Sequence, residues 1–439
     1  MTRLLLVAAF GAVAALTNPA QAADLGGDCC ADLEERIAEL EATTARKGNR
    51  KVSLTIAGHV NKAVMFWDDG FENNAYVVGN KNDQTNISFT GEAEITKEWK
   101  AGYDITIRFL DNLSDAVDQD NDNGDDGFFL WQSHWWIESD KLGKVSVGLA
   151  SRVTDTAPEV DFSEAGVAGY AGVQDIGGAF ILRRSDNVLS TLTWGDVYNH
   201  FNGDTANIVR YDSPEIAGFT AAASWGEDDV WDIGLRYANE GKILKFEGAI
   251  AYTEVTDAVD EVIGSGIDQN TLVGSFSILH EPTGLNFTFA AGHREWQGTV
   301  VDEDGVARTP DDTEYIYTKL GWLAKLTGLG PTAFYGEYGW FKDFVSAGVD
   351  ADGVASLSLT NVPNPGCANA GEACRVTGNE AEVWGFGVVQ HIESAEMQLY
   401  IGYRHHTVDF DLVNAAGGAV TASPIEDFDT VIAGSKISF

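Results

Sequence analysis

Strand-length stretches in this chain are joined by links that are alternately short and long, and that sorting restricts the fold more than any other feature of the sequence. From Lys51 onward apolar and polar residues alternate with a period of two, as where Ile87, Phe89, Ala93 and Ile95 interleave with Ser88, Thr90, Glu92, Glu94 and Thr96. Sixteen stretches carry the pattern: 52–66, 85–97, 102–111, 128–138, 144–152, 207–213, 218–226, 230–239, 243–254, 270–280, 285–296, 313–326, 332–343, 380–392, 396–410 and 427–439. Most are 9–14 residues long. Strands of soluble proteins peak near about five or six residues, whereas a tilted strand crossing a bilayer needs about 9–11. Short links fall at 100–102, 140–143, 213–218, 239–242, 281–284, 327–331 and 393–395, and nearly every link between them is longer, among them 68–83, 112–127, 153–206 and 344–379. A closed antiparallel barrel in an outer membrane has short turns on one side and long loops on the other, and its even strand number keeps both ends together. A soluble sandwich has no reason to sort its loops. The expected fold is therefore all-β, a transmembrane antiparallel β-barrel of sixteen strands. A segment at Leu189–Tyr198 inside the longest loop leaves eighteen open.

Aromatic residues give a second test of that fold. Trp67, Trp225, Trp231, Trp296 and Trp340 fall at strand ends beside long loops, and Trp99, Tyr103, Phe219, Tyr237 and Phe439 at ends beside short turns. Two girdles at two interfaces suit rings that sit at headgroup level. The charge balance, 28 Lys+Arg against 67 Asp+Glu, excludes nucleic acid as a partner, since phosphate needs a basic face. Aromatics at 11% set the chain apart from disordered acidic tails.

Residues 1–22 read as a signal peptide: Arg3, an apolar stretch Leu4–Leu16, then Ala20-Gln21-Ala22. That stretch is too short to span a bilayer, which takes about 20 residues. Residues 23–50 read as a periplasmic segment. Leu33, Ile37, Leu40 and Thr44 form a two-heptad seam, either a short coiled coil joining identical subunits or a helix packed on its own chain, ended by Gly48 and Asn49. Residues 51–439 are the barrel. Cys367 and Cys374 flank a Gly- and Asn-containing loop and read as a local disulfide, while Cys29 and Cys30, being adjacent, do not bridge each other without strain.

The stretch Lys51-Val52-Ser53-Leu54-Thr55-Ile56-Ala57-Gly58-His59-Val60-Asn61 with Met65-Phe66-Trp67-Asp68-Asp69, the loop motif Gly172-Val173-Gln174-Asp175-Ile176-Gly177-Gly178, and Asn207-Ile208-Val209-Arg210-Tyr211-Asp212-Ser213-Pro214 resemble the alphaproteobacterial general-diffusion porins. The terminal Phe439 is similar to the aromatic by which outer-membrane barrels are recognised for insertion. The resemblance covers nearly all of the chain after the leader. It implies a trimer of water-filled channels for small hydrophilic solutes and ions, in contact with outer-membrane lipid and lipopolysaccharide, with no cofactor and no enzymatic chemistry. It also implies that the long loop, about 153–206, folds into the barrel and narrows it.

Parity places Arg108, Arg152, Arg210, Arg236, Arg294 and Arg404 on the lumen face, between outward neighbours such as Ile107 and Phe109 or Leu235 and Tyr237. An arginine facing lipid at mid-depth costs about 2–4 kcal/mol, so energy agrees with parity. The long loop carries Asp155, Glu159, Asp161, Glu164 and Asp175. The expectation is a pore constriction in which these carboxylates face the arginines and set a transverse field. The alternative for any one arginine is an ion pair that holds the loop down, as also for Arg183 and Arg184.

Other chemistry finds little support. The acidic run Asp118–Asp126 puts Gly124 where an EF-hand loop would then begin at Gln119 rather than Asp, so no calcium or other metal site is assigned. Gly166, Gly169 and Gly172 lack the strand-to-helix context of a phosphate cradle. A barrel lipid hydrolase would need a nucleophile beside His280 or His391 on the rim, and none stands out. A substrate-specific channel or an adhesin is the remaining alternative.

Overall fold

The computed structural model describes residues 51–124, 126–226, 230–256, 268–301, 307–346, 374–414 and 418–439. The leader, the periplasmic heptads, Cys29, Cys30 and Cys367 lie outside the described residues, as does the side chain of Cys374. The barrel strands are β1 Thr55–Asp68, β2 Asn86–Thr96, β3 Trp99–Asp111, β4 Asp126–Ser139, β5 Gly143–Ser151, β6 Thr205–Asp212, β7 Phe219–Gly226, β8 Val230–Glu240, β9 Leu244–Val255, β10 Asp268–His280, β11 Leu285–Gln297, β12 Thr313–Ala324, β13 Thr332–Lys342, β14 Cys374–Ile392, β15 Met397–Asn414 and β16 Phe428–Ser438. Each pairs antiparallel with the next, and β1 closes the sheet on β16, His59 facing Ser438 through to Asp68 facing Asp429.

The closure leaves neither β1 nor β16 as a free edge of the wall, which is what a strand protein needs where no water can satisfy its backbone. No described helix is long and apolar enough to cross a membrane. The strand count is sixteen: Ile181–Arg183 and Leu189–Thr193 form a separate hairpin within the long loop instead of entering the wall. The link between β1 and β2, read as an open loop, contains a further strand, Asn73–Gly79. It pairs with the extracellular half of β1, Lys62 facing Gly79, whereas β2 meets β1 only from Thr55 to His59.

Sequence alternation becomes a two-sided wall. Along β13, Ala333, Tyr335, Glu337 and Phe341 are buried while Phe334, Gly336 and Tyr338 are exposed. The outer face is apolar, with Val77 69% and Leu320 67% exposed. Short turns use residues suited to them: Gly143 and Gly284 have φ of +84° and +72°, and a Cβ at either would collide with a facing carbonyl oxygen, Asp212 or Leu323.

Both girdles are present, but two of the assigned tryptophans are not in them. Trp225 is 59% and Phe439 64% exposed, whereas Trp67 (4%) and Trp296 (8%) are buried. Trp67 occupies an inward position between the outward Phe66 and Asp68. Its ring packs 4.9 Å from Phe180 of the long loop.

Candidate functional site

The link from β5 to β6 runs along the inner faces of successive strands, and inward side chains hold it at nearly every step. Asp232 of β8 accepts from the Thr154 amide and hydroxyl, both at 2.9 Å. Ser275 and Ser277 of β10 accept from the Val160 and Phe162 amides at 3.0 Å. Thr288 of β11 donates to Asp161 at 2.9 Å, and Lys319 of β12 donates to Asp161 at 2.6 Å and to the Gly169 carbonyl at 2.7 Å. Arg404 of β15 is bonded to Glu337 of β13 at 2.8 and 3.2 Å and donates to the Val173 and Tyr170 carbonyls at 3.1 Å. A loop has no ladder of its own, so its buried amides and carbonyls must find such partners.

Beyond Asp175 the loop packs apolar residues against the same wall. Phe180 lies 5.0 Å from Phe428, Trp194 stacks on Phe428 at 5.7 Å, and Tyr198 meets Phe341 edge-on at 4.8 Å. Arg183 and Asp69, 5% and 3% exposed, form an ion pair at 2.7 Å, so Arg183 does fasten the loop. Part of the interior is thus a dry core, set to one side of the remaining polar wall.

The six arginines divide in an unforeseen way. Arg236 donates to the Asp155 carbonyl and the Thr156 hydroxyl, both at 2.8 Å, and Arg152 donates to the Gly203 carbonyl. Arg210 is bidentate on Asp212 of its own strand and donates to the carbonyls of Ser151 and Arg152 at 3.0 Å. Arg294 donates to Thr271 at 3.2 Å and lies 4.3 Å over the Phe201 ring. These arginines bind loop or wall oxygens, and no hydrogen bond joins any of the six to a carboxylate among Asp155, Glu159, Asp161, Glu164 and Asp175. Arg108 lies over the Trp131 indole at 3.5 Å, much closer than Arg294 lies to that of Trp296 at 5.4 Å.

The loop carboxylates have other partners. Glu159 pairs with His200 at 2.8 Å, and Asp155 accepts from Asn202 at 3.0 Å. Burial raises the Asp155 carboxyl, with Glu159 and Asp204 adding to it. For Asp161 burial works upward, but the charge and hydrogen bond of Lys319 outweigh it and hold the carboxyl below its usual value. His391, read as a rim position, donates from Nε2 to the Glu164 carbonyl at 3.0 Å. Lys319 and Glu337 were not singled out from sequence, although each is a lone charge at inward parity, the signal that found the arginines.

Asp175 accepts from the Tyr170 hydroxyl, and burial together with the nearby Asp115 pushes it up to about 6. Because the docked value lies above the usual carboxylate value of 3.8, its contribution to docking is fully present below pH 3.8 and is lost as pH rises through about 6. The heat-denaturation midpoint of the folded barrel, measured relative to Asp175→Asn, should therefore rise as pH falls from 8 to 5. A parallel pH dependence of the two proteins counts against this.

His293, Glu295 and Asp312 bring ligand atoms within 4.8 Å of one another at the outer rim, but these side chains are exposed or half-exposed. The acidic run at Asp118 is held by Asx turns, its carboxylate accepting from the amides of Asp120 at 2.7 Å and Asn121 at 2.8 Å.

A family model described as Gram-negative porin matches residues 8–411. Among solved structures the chain is similar to the anion-selective porin from Comamonas acidovorans, with 14% identity and a TM-score of 0.53 over 88% of this chain and 100% of that one. It is also similar to OmpT, an outer membrane protein of Vibrio cholerae, with 10% identity and a TM-score of 0.52 over 90% and 99% of the two chains. No curated protein matches it.

Proposed function

The chain belongs to the Gram-negative porin family, and from that premise we propose that it is a homotrimeric general-diffusion porin of the alphaproteobacterial kind. Family membership makes it an outer-membrane barrel that passes small hydrophilic solutes and ions by passive diffusion, a channel rather than an enzyme. In the finer reading residues 1–22 direct export, residues 23–50 stand on the periplasmic side with the short coiled coil, and the 153–206 loop narrows the lumen. Asp155, Glu159, Asp161, Glu164 and Asp175 lie on one side of the constriction and Arg108, Arg152, Arg210, Arg236, Arg294 and Arg404 on the other. A disulfide joins Cys367 to Cys374 in an external loop. Lipopolysaccharide and outer-membrane lipid surround the rim.

The observation that carries this reading is the row of anchors from β8 to β15, which supports a permanently seated loop. A trimer is supported by an outward ion pair. Lys62 shares the outward parity of the exposed Val60, Val64 and Phe66, and pairs with Asp111 on that face. A charged residue facing lipid at mid-depth costs about 2–4 kcal/mol, which contact with a neighbouring subunit relieves.

The test is single-channel conductance in a planar bilayer across a salt gradient. Three equal steps, roughly linear in salt, are expected, and Arg108→Ser with Arg236→Ser should raise conductance and cation preference. Unchanged permeability ratios in that variant would remove the arginines from the selectivity role, and a correctly inserted barrel with no channel would sink the diffusion reading.

A further inference from the structure

Five of the six inward arginines donate hydrogen bonds to protein oxygens. Arg108 makes none among the described residues, and its Nε is buried without a partner. What holds it is Trp131, whose ring centroid lies 3.5 Å from the guanidinium carbon.

Trp131 owes its position to a slip in the ladder. Between β3 and β4, Thr106 faces Gln132 but the next pair is Ile107 with Leu130, so Trp131 faces no residue at all. Such a bulge inserts one residue and re-aims the side chain it carries. The indole Nε1 is buried without an acceptor, unlike most buried indoles, so the position serves the ring face and not the N–H. A cation over an indole face is attracted by the ring quadrupole, and Trp is the best of the aromatic partners.

From this geometry we propose that Trp131 is a positioning residue for solute selectivity: its ring holds the Arg108 guanidinium flat and leaves the terminal edge, formed by the two Nη groups, open to the carboxylate of a solute in transit. Stacking occupies a face of the planar group, whereas its donors point outward in the plane and match a carboxylate with two parallel bonds. The acidic groups whose charges act on Arg108, led by Asp204 and Asp155 and including Asp83, make no hydrogen bond to it. They compete with a bound anion without replacing it, so the solute is held weakly enough to leave, as conduction requires.

The inference rests on the channel reading and is tested in the same bilayer. Reversal potentials under acetate and benzoate gradients against chloride are compared for wild type, Trp131→Ala, Trp131→Phe, Trp131→Leu and Arg108→Ser. Loss of the shelf should lower carboxylate permeability relative to chloride by about two- to fivefold in Trp131→Ala, with Trp131→Leu, which retains bulk, showing the same loss if the alanine variant does not fold. Trp131→Phe keeps a ring face and should restore most of the ratio. In the Arg108→Ser background, adding Trp131→Ala should change nothing further. Ratios in Trp131→Ala and Trp131→Leu equal to wild type, or a tryptophan effect that persists without Arg108, overturn the positioning role alone. A wild-type protein that inserts and conducts nothing overturns the channel reading with it.

Discussion

Arg404→Ala should be the most damaging single substitution in the lumen, lowering the stability of the folded barrel by about 3–5 kcal/mol. The reason is what remains behind. Glu337, its side chain 0% exposed, would keep a buried negative charge whose remaining hydrogen bond among the described residues comes from the Tyr317 hydroxyl at 2.6 Å. The carbonyls of Tyr170 and Val173 would each lose a donor at the middle of the loop. Removing one partner of a buried pair costs far more than removing both, so Arg404→Met with Glu337→Gln should recover part of the loss. Heat denaturation in detergent, followed by the shift between folded and unfolded bands on a gel, reads the stability. Single-channel recordings read the loop, which should fluctuate and raise mean conductance. An Arg404→Ala barrel with the heat resistance and current noise of wild type would show that the pair does not anchor the loop.

Phe180→Ala should come next, at about 3–5 kcal/mol, through a cavity instead of a stranded charge. Its ring is fully buried between Trp67 at 4.9 Å and Phe428 at 5.0 Å, with Tyr76 further off at 6.4 Å. The neighbouring wall is tied into the sheet and cannot close the gap, since Trp67 and Phe428 sit in strands whose backbone register is fixed by pairing. Water entering beside Trp67 and Trp194 should shift tryptophan emission to the red while the strand signal in circular dichroism stays unchanged. An unshifted spectrum, with the loop still seated, would mean that polar anchors suffice and the aromatic contacts add little.

The barrel was legible in the sequence because its two determinants are local. Period two fixes which side of the wall a residue faces, and a membrane needs strands of one length; the expected and observed bounds accordingly agree within a few residues for nearly every strand, as with 285–296 against Leu285–Gln297. Parity also found the inward arginines. It failed where an inward side chain meets something far away in sequence. Trp67 reads as a girdle residue until Phe180 is known to lie beneath it, 113 positions along the chain in the same contact that buries it. Trp131 escapes a reading by parity for a different reason, because one bulge shifts the alternation and nothing in β4 announces it. The arginines were expected to oppose carboxylates, yet loop carbonyls are the more numerous acceptors and need donors once buried. Period alone carries no information on which oxygen a long side chain reaches.

The anchors of the long loop also impose an order on assembly. The loop precedes β6 in the chain, but its partners arrive late: Lys319 is 158 residues beyond Asp161, and Arg404 is 231 residues beyond Val173. Neither contact exists until β12 and β15 have joined the sheet, and closing such separations costs chain entropy that only the finished wall returns. The seating of the long loop is therefore settled at the end of barrel formation, by the C-terminal strands, although the loop itself was made long before them.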